Sequence, residues 1–327
     1  MPLADFRIVY FDEVDDPYQV TLLFQLSLFF PAMPNVLEEM RANDDRYTSE
    51  FGIFAVTRDG AVAAGHLLMR IPTATTRGRL DVGGVNAVAT RPDFARRGFM
   101  TSIMNATHQY FRERGLDHSV LTTSGRLGAM VMYERLDYAE LSRSHIAVKY
   151  PKQPRTPVPS EVLVRSFSDD DIPIVNKVYT EAVRKSYGFI HRPSDFLKAR
   201  KYATGEMKPK ENLRIAQRGD TAMGYAYWDS NPRISEAYEI IALDSQSFQA
   251  LLADAEQRNP GAGIFVWCDG LTSLEIGWLR DAGYQVPIET YGIALVKSLK
   301  GKTDSRKLKS LYGVELGKFR LGLWDGT

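Results

Sequence analysis

The chain has 327 residues, with 41 Lys+Arg against 40 Asp+Glu and a formal net charge of +1. With 44% hydrophobic and 11% aromatic residues it reads as a folded globular chain, and so even a charge balance argues against a dedicated nucleic-acid binder. One cysteine, Cys268, excludes an internal disulfide and a cysteine-cluster metal site, and the five histidines are too scattered to form a metal-binding pair.

No segment offers the roughly 20 apolar residues that a bilayer span needs. The most apolar early run, Leu22 to Phe30, is interrupted by Gln25 and Ser27. The acidic stretch Asp12 to Asp16 precedes it, where a signal peptide would be basic. The expectation is a cytoplasmic protein with no membrane partner and no nucleic acid. A homo-oligomer is left open.

At about 150 residues per domain, the length predicts two domains. Pro151, Pro154, Pro157 and Pro159 mark the boundary, because prolines so spaced can continue neither a helix nor a central strand. The predicted division is residues 1–150, residues 160–299 and a basic tail of residues 300–327.

In the first part, Phe6 to Phe11 reads as a strand, Tyr18 to Phe30 as a buried helix and Asn35 to Arg41 as a short amphipathic helix. Strands Phe51–Thr57 and Ala61–Ile71 flank Asp59-Gly60, a strong hairpin signal. Strand Arg79–Thr90 contains Gly83-Gly84, a pairing that marks a bulge or a close backbone approach. A basic loop leads to a helix over Phe99–Arg114 that Gly115 ends. Strand His118–Thr123, helix Leu127–Leu136 and strand Ser142–Lys149 complete this part.

The second part runs through a similar order. Strand Val162–Phe167 is followed by a helix that Ser168 caps and that reaches Lys185. Strands Leu213–Gln217 and Ala222–Asp229 flank Gly219-Asp220. Then come strand Ile234–Leu243, helix Ser247–Arg258, strand Gly263–Cys268, helix Leu271–Asp281 and strand Thr290–Ser298. The repeated order suggests an internal duplication. In the tail, Ser305–Tyr312 reads as a short helix, and Lys300, Lys302, Arg306, Lys307 and Lys309 read as a solvated face.

Chemistry concentrates in two stretches. In the first, a strand runs into Ala95-Arg96-Arg97-Gly98-Phe99-Met100, which opens a helix. That arrangement aims backbone N–H groups and the positive end of the helix dipole at one spot, a ready site for a pyrophosphate. Gly98 allows close backbone approach, and Arg96 and Arg97 add charge. The alternative is a basic helix start with a solvated arginine pair. In the second stretch, Tyr133-Glu134-Arg135-Leu136 and Tyr138 place a tyrosine in the helix after the next strand.

Together these stretches resemble the GCN5-related N-acetyltransferase (GNAT) family. That family has a Q/R-x-x-G-x-G/A loop for the acyl-CoA pyrophosphate and a Tyr beside the CoA sulfur. Here Ala95 and Met100 depart from the loop pattern at its first and last positions. The tandem arrangement is similar to the enhanced intracellular survival (Eis) group. The resemblance implies an α/β (α+β) fold of two tandem GNAT-like domains, each a mixed, mostly antiparallel twisted sheet flanked by helices. Eis proteins carry a third, sterol-carrier-like domain and use the C-terminal carboxylate as base. The roughly 30 residues after Ser298 are too few for such a domain, so no such role is expected of the Thr327 carboxylate.

The resemblance further implies direct transfer of an acetyl group from acetyl-CoA, the cosubstrate, to a primary amine of a small molecule or peptide, with no metal. Cofactor contacts are expected from Val88, Ala89, Thr90, Arg96, Arg97, Gly98, Phe99, Met100, Thr101, Thr123 and Ser124. Tyr133 would protonate the leaving thiolate. Its alternative role is packing on the sheet. Glu38, Glu39, Asp44 and Asp45 are candidates for the base, with His66 and His145 behind them. Cys268 reads as a buried structural thiol. The segment Ala242 to Gln249 has no R-x-x-G where a second phosphate loop would lie, so the second part is expected to bind no CoA. Competing readings are another acyl or aminoacyl transferase with tandem folds, of myristoyl or Fem type, and a non-catalytic acyl-CoA sensor or scaffold.

Overall fold

The computed structural model describes residues 6–30, 32–150, 152–153, 155–159, 161–193, 196–197 and 212–322. The expectations attached to Pro151, Pro154 and the Thr327 carboxylate lie outside the described residues.

The first half contains β1 (Phe6–Tyr10), α1 (Tyr18–Leu28), α2 (Pro34–Asn43), β2 (Tyr47–Thr57), β3 (Val62–Thr75), β4 (Gly78–Thr90), α3 (Phe99–Glu113), β5 (His118–Ser124), α4 (Ala129–Arg135) and β6 (Ala139–Lys149). The second contains β7 (Leu163–Ser166), α5 (Ile172–Val183), β8 (Tyr187–Gly188), β9 (Leu213–Arg218), β10 (Thr221–Ser230), β11 (Ile234–Ala242), α6 (Ser245–Arg258), β12 (Gly263–Trp267), α7 (Ser273–Asp281) and β13 (Gln285–Ser298). The tail adds α8 (Ser305–Leu311) and β14 (Phe319–Arg320).

These strands form one mixed, mostly antiparallel sheet in the order β1-β2-β3-β4-β5-β13-β6-β12-β11-β10-β9-β7. The β4–β5 and β11–β12 pairs are parallel. The last strands of the two halves are exchanged. β13 lies between β5 and β6, and β6 in turn pairs with β12. Helices cover both faces.

Local sequence explains most elements. α3 buries Phe99, Met100, Ile103, Met104, Thr107, His108, Tyr110 and Phe111, a stripe at helical spacing. Gly115, at φ +72°, stops it, and the Leu116 N–H closes onto the Phe111 carbonyl. The hairpin between β2 and β3 turns at Gly60, φ +85°. Thr272 and Glu275 form a reciprocal cap that starts α7 two residues later than the sequence suggests. The helix expected from Ser168 to Lys185 is split into a 3-10 turn at Asp169–Asp171 and α5, which ends at Val183.

The close approach expected at Gly83-Gly84 is real. A Cβ on Gly83 would sit 2.3 Å from the Phe111 ring. This lets α3 lie directly on β4. Two elements had no sequence signal: β8 and β14 are two residues each and pair with one another. β8 follows α5, and β14 belongs to a tail that folds back over the sheet. Leu308 and Tyr312 are buried against β3, β4, β5 and β13. The charged Lys300, Lys302, Arg306 and Lys307 remain exposed, with Lys309 half-buried.

Two buried ion pairs fasten the arrangement. Lys149 of β6 reaches Glu256 of α6 at 3.0 Å, and its Nζ also donates to Thr156 and to the Ala282 carbonyl. Arg320 of the tail pairs with Glu275 at 2.8 Å and donates to Ser186 and to the Gly270 carbonyl. Removing one partner of either pair would strand the other charge in the core.

Gly83→Ala adds a methyl where the Phe111 ring already sits, so thermal unfolding should show a loss of about 1–3 kcal/mol. Unchanged stability would mean that α3 can lift off β4. Burial also sets a pH dependence, because it holds His66 and His108 neutral, with pKa values lowered from 6.5 to about 4 and about 3. The unfolded chain takes up these protons near pH 6.5. Stability is therefore fully present above that pH and falls as pH drops toward 4, by about 1–3 kcal/mol per pH unit. Urea unfolding at pH 7, 6 and 5 measures this, and a flat profile would refute it.

Candidate active site

The site opens where β4 and β5 part. They are paired only at Gly83–Ser119 and Gly84–Val120. Beyond those pairs β4 carries a bulge: Gly65 of β3 faces Ala89 and Leu67 faces Asn86, so β4 holds an extra residue, with Ala87 at φ +55°. A bulge re-aims the backbone and leaves an amide out of the ladder. No sequence signal marks it, since alanine is an unusual residue for that conformation. The end of β4 is steadied by Ser27 of α1, whose hydroxyl donates to the Thr90 carbonyl at 2.9 Å.

After β4 the chain makes a 3-10 turn at Pro92–Phe94 and enters α3 through Arg96 (φ +63°) and Gly98 (φ +83°). Two left-handed residues in three curl the backbone into a nest of N–H groups at the helix start. Gly98 is the N-cap, and no side chain caps the helix. Arg97 donates to the Asp93 carbonyl at 2.8 Å and lies over the Phe94 ring. Arg96 is exposed and free of ion pairs with described residues.

A cleft of about 1090 Å³ runs from this loop between β4, β5 and α4. Of the residues expected from sequence, Val88, Ala89, Thr90, Arg96, Arg97, Gly98, Phe99, Met100, Thr101, Thr123 and Tyr133 line it. Ser124 does not. Its carbonyl accepts from Leu127 N–H at 3.0 Å. Val85, Ala87 and Thr122 join the lining, as do Asn105 and Arg135, none of which the sequence marked as a contact, although Arg135 belongs to the Tyr133–Leu136 string.

Tyr133 sits in α4 and is 3% exposed. Its ring meets Tyr138 edge-on, with centroids 5.8 Å apart. Burial pushes its phenol up to about 12. The group is therefore protonated across the neutral range.

The candidate bases lie elsewhere. Asp44 is buried in an ion pair with Arg46 at 2.7 Å. Glu38, Glu39 and Asp45 are exposed on or after α2. His66 is fully buried, its Nε2 2.9 Å from the Thr107 hydroxyl. His145 lies on β6, its N–H bonded to Asp269 at 3.2 Å. None of the described residues lining the cleft is Asp, Glu or His. Cys268 is buried, and burial raises its thiol to about 12. Among the described residues no cluster of His, Cys, Asp or Glu could hold a metal, and no helix is long and apolar enough to cross a membrane.

The corresponding helix start in the second half is built differently. Asp244 caps α6, its carboxylate accepting from Ser247 N–H at 2.8 Å and pairing with Arg218 at 3.2 Å. A carboxylate already occupies the place where an anion would dock.

Residues 21–141 match the family model for the acetyltransferase (GNAT) domain. The chain carries a GNAT acetyltransferase domain. No curated protein matches the chain. Among solved structures it is similar to a probable N-acyltransferase from Enterococcus faecalis, with 15% identity, a TM-score of 0.69 and coverage of 91% of this chain and 73% of that one. A GCN5-related N-acetyltransferase from Anabaena variabilis matches at 12% identity and a TM-score of 0.70, over 90% and 73% of the two chains. Eis1 from Mycobacterium abscessus matches at 14% identity and a TM-score of 0.61, over 90% and 74%. At these identities the solved structures establish a shared fold.

The GNAT domain's helix start is testable directly. Gly98→Val places a β-branched residue at φ +83°, where an L side chain is strained. Calorimetry should show CoA binding weakened by roughly tenfold or more. Wild-type affinity in this variant would show that the loop does not hold the nucleotide.

Proposed function

We propose that the protein is an acetyl-CoA-dependent N-acetyltransferase that moves an acetyl group directly to a primary amine of a small molecule or peptide. The observation that carries this reading is the joining, in one cleft, of the uncapped helix start at Gly98 and the buried hydroxyl-bearing ring of Tyr133. In this reading the pyrophosphate lies on the Arg96–Thr101 turn, held by backbone N–H groups and the helix dipole. The pantetheine arm follows Val88 to Thr90, and an amide freed by the bulge at Ala87 polarises the thioester carbonyl.

The amine nitrogen attacks the carbonyl carbon, and a C–N bond forms. The C–S bond then breaks, and Tyr133 gives its proton to the thiolate. Holding both reactants in one cleft supplies much of the acceleration. With no acid or histidine in the described lining, the attacking amine loses its proton to water. The rate should then rise with pH toward the pKa of the acceptor amine, with no alkaline loss from Tyr133 until well above pH 9.

Residues 1–150 and 160–299 are read as tandem GNAT-like units that have exchanged their last strands. Only the first is read as binding CoA, which the Asp244 cap in the second supports.

Tyr133→Phe tests the chemistry. The ring, the packing and the helix are kept and the proton is lost. Acetyl-CoA affinity should be nearly unchanged, while kcat falls by roughly a hundredfold. A wild-type kcat in this variant would leave Tyr133 as a packing residue. A wild type inactive with every amine tried would favour the acyl-CoA sensor.

A further inference from the structure

α1 carries no charged residue from Tyr18 to Leu28, and two of its sides are apolar. One buries Val20, Leu23 and Phe24 in the core. The other turns Tyr18, Leu22, Leu26 and Phe29 to solvent. At 3.6 residues per turn these four fall on one stripe, about 16 Å long. A helix that is apolar all round belongs in an interior.

Phe29 breaks two local rules at once. It is 85% exposed, and it ends the helix at φ +55°. That left-handed position goes to Gly or Asn in most helices, because a Cβ is strained there. Both costs are offset only if something covers the ring.

Area and charge say what covers it. The four side chains leave on the order of 450 Å² of apolar surface open. A standard interface buries about 800 Å² per partner, a little over half of it apolar, so the stripe alone meets that need. Charges lie only at its two ends. Before α1 come Asp12, Glu13, Asp15 and Asp16. Arg41 pairs with Asp12 and Arg7 with Asp15, while Glu13 and Asp16 have no ion pair with a described residue. At the other end Ser27 holds the Thr90 carbonyl, and the loop that follows Thr90 carries Arg91, Arg96 and Arg97 against Asp93 alone. The stripe is neutral, one end is acidic and the other is basic. Such a surface complements itself when reversed. It suits an anionic lipid surface poorly, because the acidic turn would be repelled.

We propose that α1 is the centre of a two-fold interface between two copies of this chain, packed antiparallel. The arrangement sets Tyr18 against Phe29 and Leu22 against Leu26 of the other copy. The acidic turn of each copy then lies toward the basic loop of the other, at both ends of the contact. The inference stands apart from the acetyl-CoA reading, since it uses no property of the cleft.

Light scattering and sedimentation of the full chain test it. At about 50 µM, wild type should have twice the 36.8 kDa mass of one chain. Leu22→Glu puts a charge in the middle of the apolar contact and should give the mass of one chain, with an unchanged circular dichroism spectrum. Leu274→Glu, at an exposed leucine of α7, should stay a dimer. Phe29→Gly separates the two costs: dilute, dissociated protein should unfold at higher urea than wild type, while dimer dissociation becomes about tenfold easier or more. Orientation is read by oxidation. The double variant Tyr18→Cys with Phe29→Cys should form a covalent dimer, and Tyr18→Cys alone should not, because Cys268 is buried. Wild type with the mass of one chain, or a dimer that survives Leu22→Glu, would overturn the inference. Cross-linking by Tyr18→Cys alone would overturn the antiparallel packing, and a monomeric wild type that co-floats with phosphatidylcholine vesicles would give the stripe to lipid instead.

Discussion

The parting of β4 from β5 is the constraint on which the rest of the molecule depends. Adjacent parallel strands normally keep their ladder, because an unpaired backbone group out of water is costly. Here the ladder stops after Gly84 and Val120, and the freed strand edges become cleft walls. The split is held from both sides. On the β4 side, Gly83 lets Phe111 and α3 press against the strand, and the bulge at Ala87 re-aims the backbone toward Thr90. On the β5 side, β13 pairs along the strand from Ser298–His118 to Gly292–Ser124.

That second support comes from far along the chain. β5 would be an open edge without β13, and β6 would be one without β12. Exchanging the last strands gives each strand two neighbours and makes the halves one sheet. The buried pairs Lys149–Glu256 and Arg320–Glu275 sit where that exchange is locked. Tyr291 of β13 also reaches the first half, its ring 3.4 Å from the Arg126 guanidinium carbon and its carbonyl accepting from Gly125 N–H. The second half thus shapes the ground beside the cleft while its own helix start is closed by Asp244.

Charge within the first half is divided with the same economy. Asp44 is paired with Arg46 and Glu50 with Arg114, and neither lines the cleft. Arg96, Arg112 and Arg135, at the start of α3 and along α3 and α4, are left without such partners among the described residues. The described cleft lining mixes apolar side chains with threonines, carries no carboxylate and is positive at the helix start, which suits a long ligand with an anionic end.

The sequence by itself determined what depends on neighbours a few residues apart. The helix over α3 follows from its apolar stripe and Gly115, the hairpins from Asp59-Gly60 and Gly219-Asp220, and the helix start from Gly98 preceded by two arginines. Gly83-Gly84 announced a close approach, though not to which ring. Most residues expected at the site line the cleft because they belong to these local signals. What only the tertiary structure decided depends on partners distant in the chain. The strand exchange needs residues 118–124 to meet residues 292–298, and no periodicity encodes that meeting. Ser124 does not line the cleft, although its neighbour Thr123 does. Asp44 and His66 are buried and lie outside the cleft lining, a placement set by partners distant in the chain. The bulge at Ala87 exists because β3 imposes a register that alanine alone would not choose. Arg112, Arg135 and Lys297 are ordinary surface cations in the sequence, and they share a hollow because α3, α4 and β13 pack side by side.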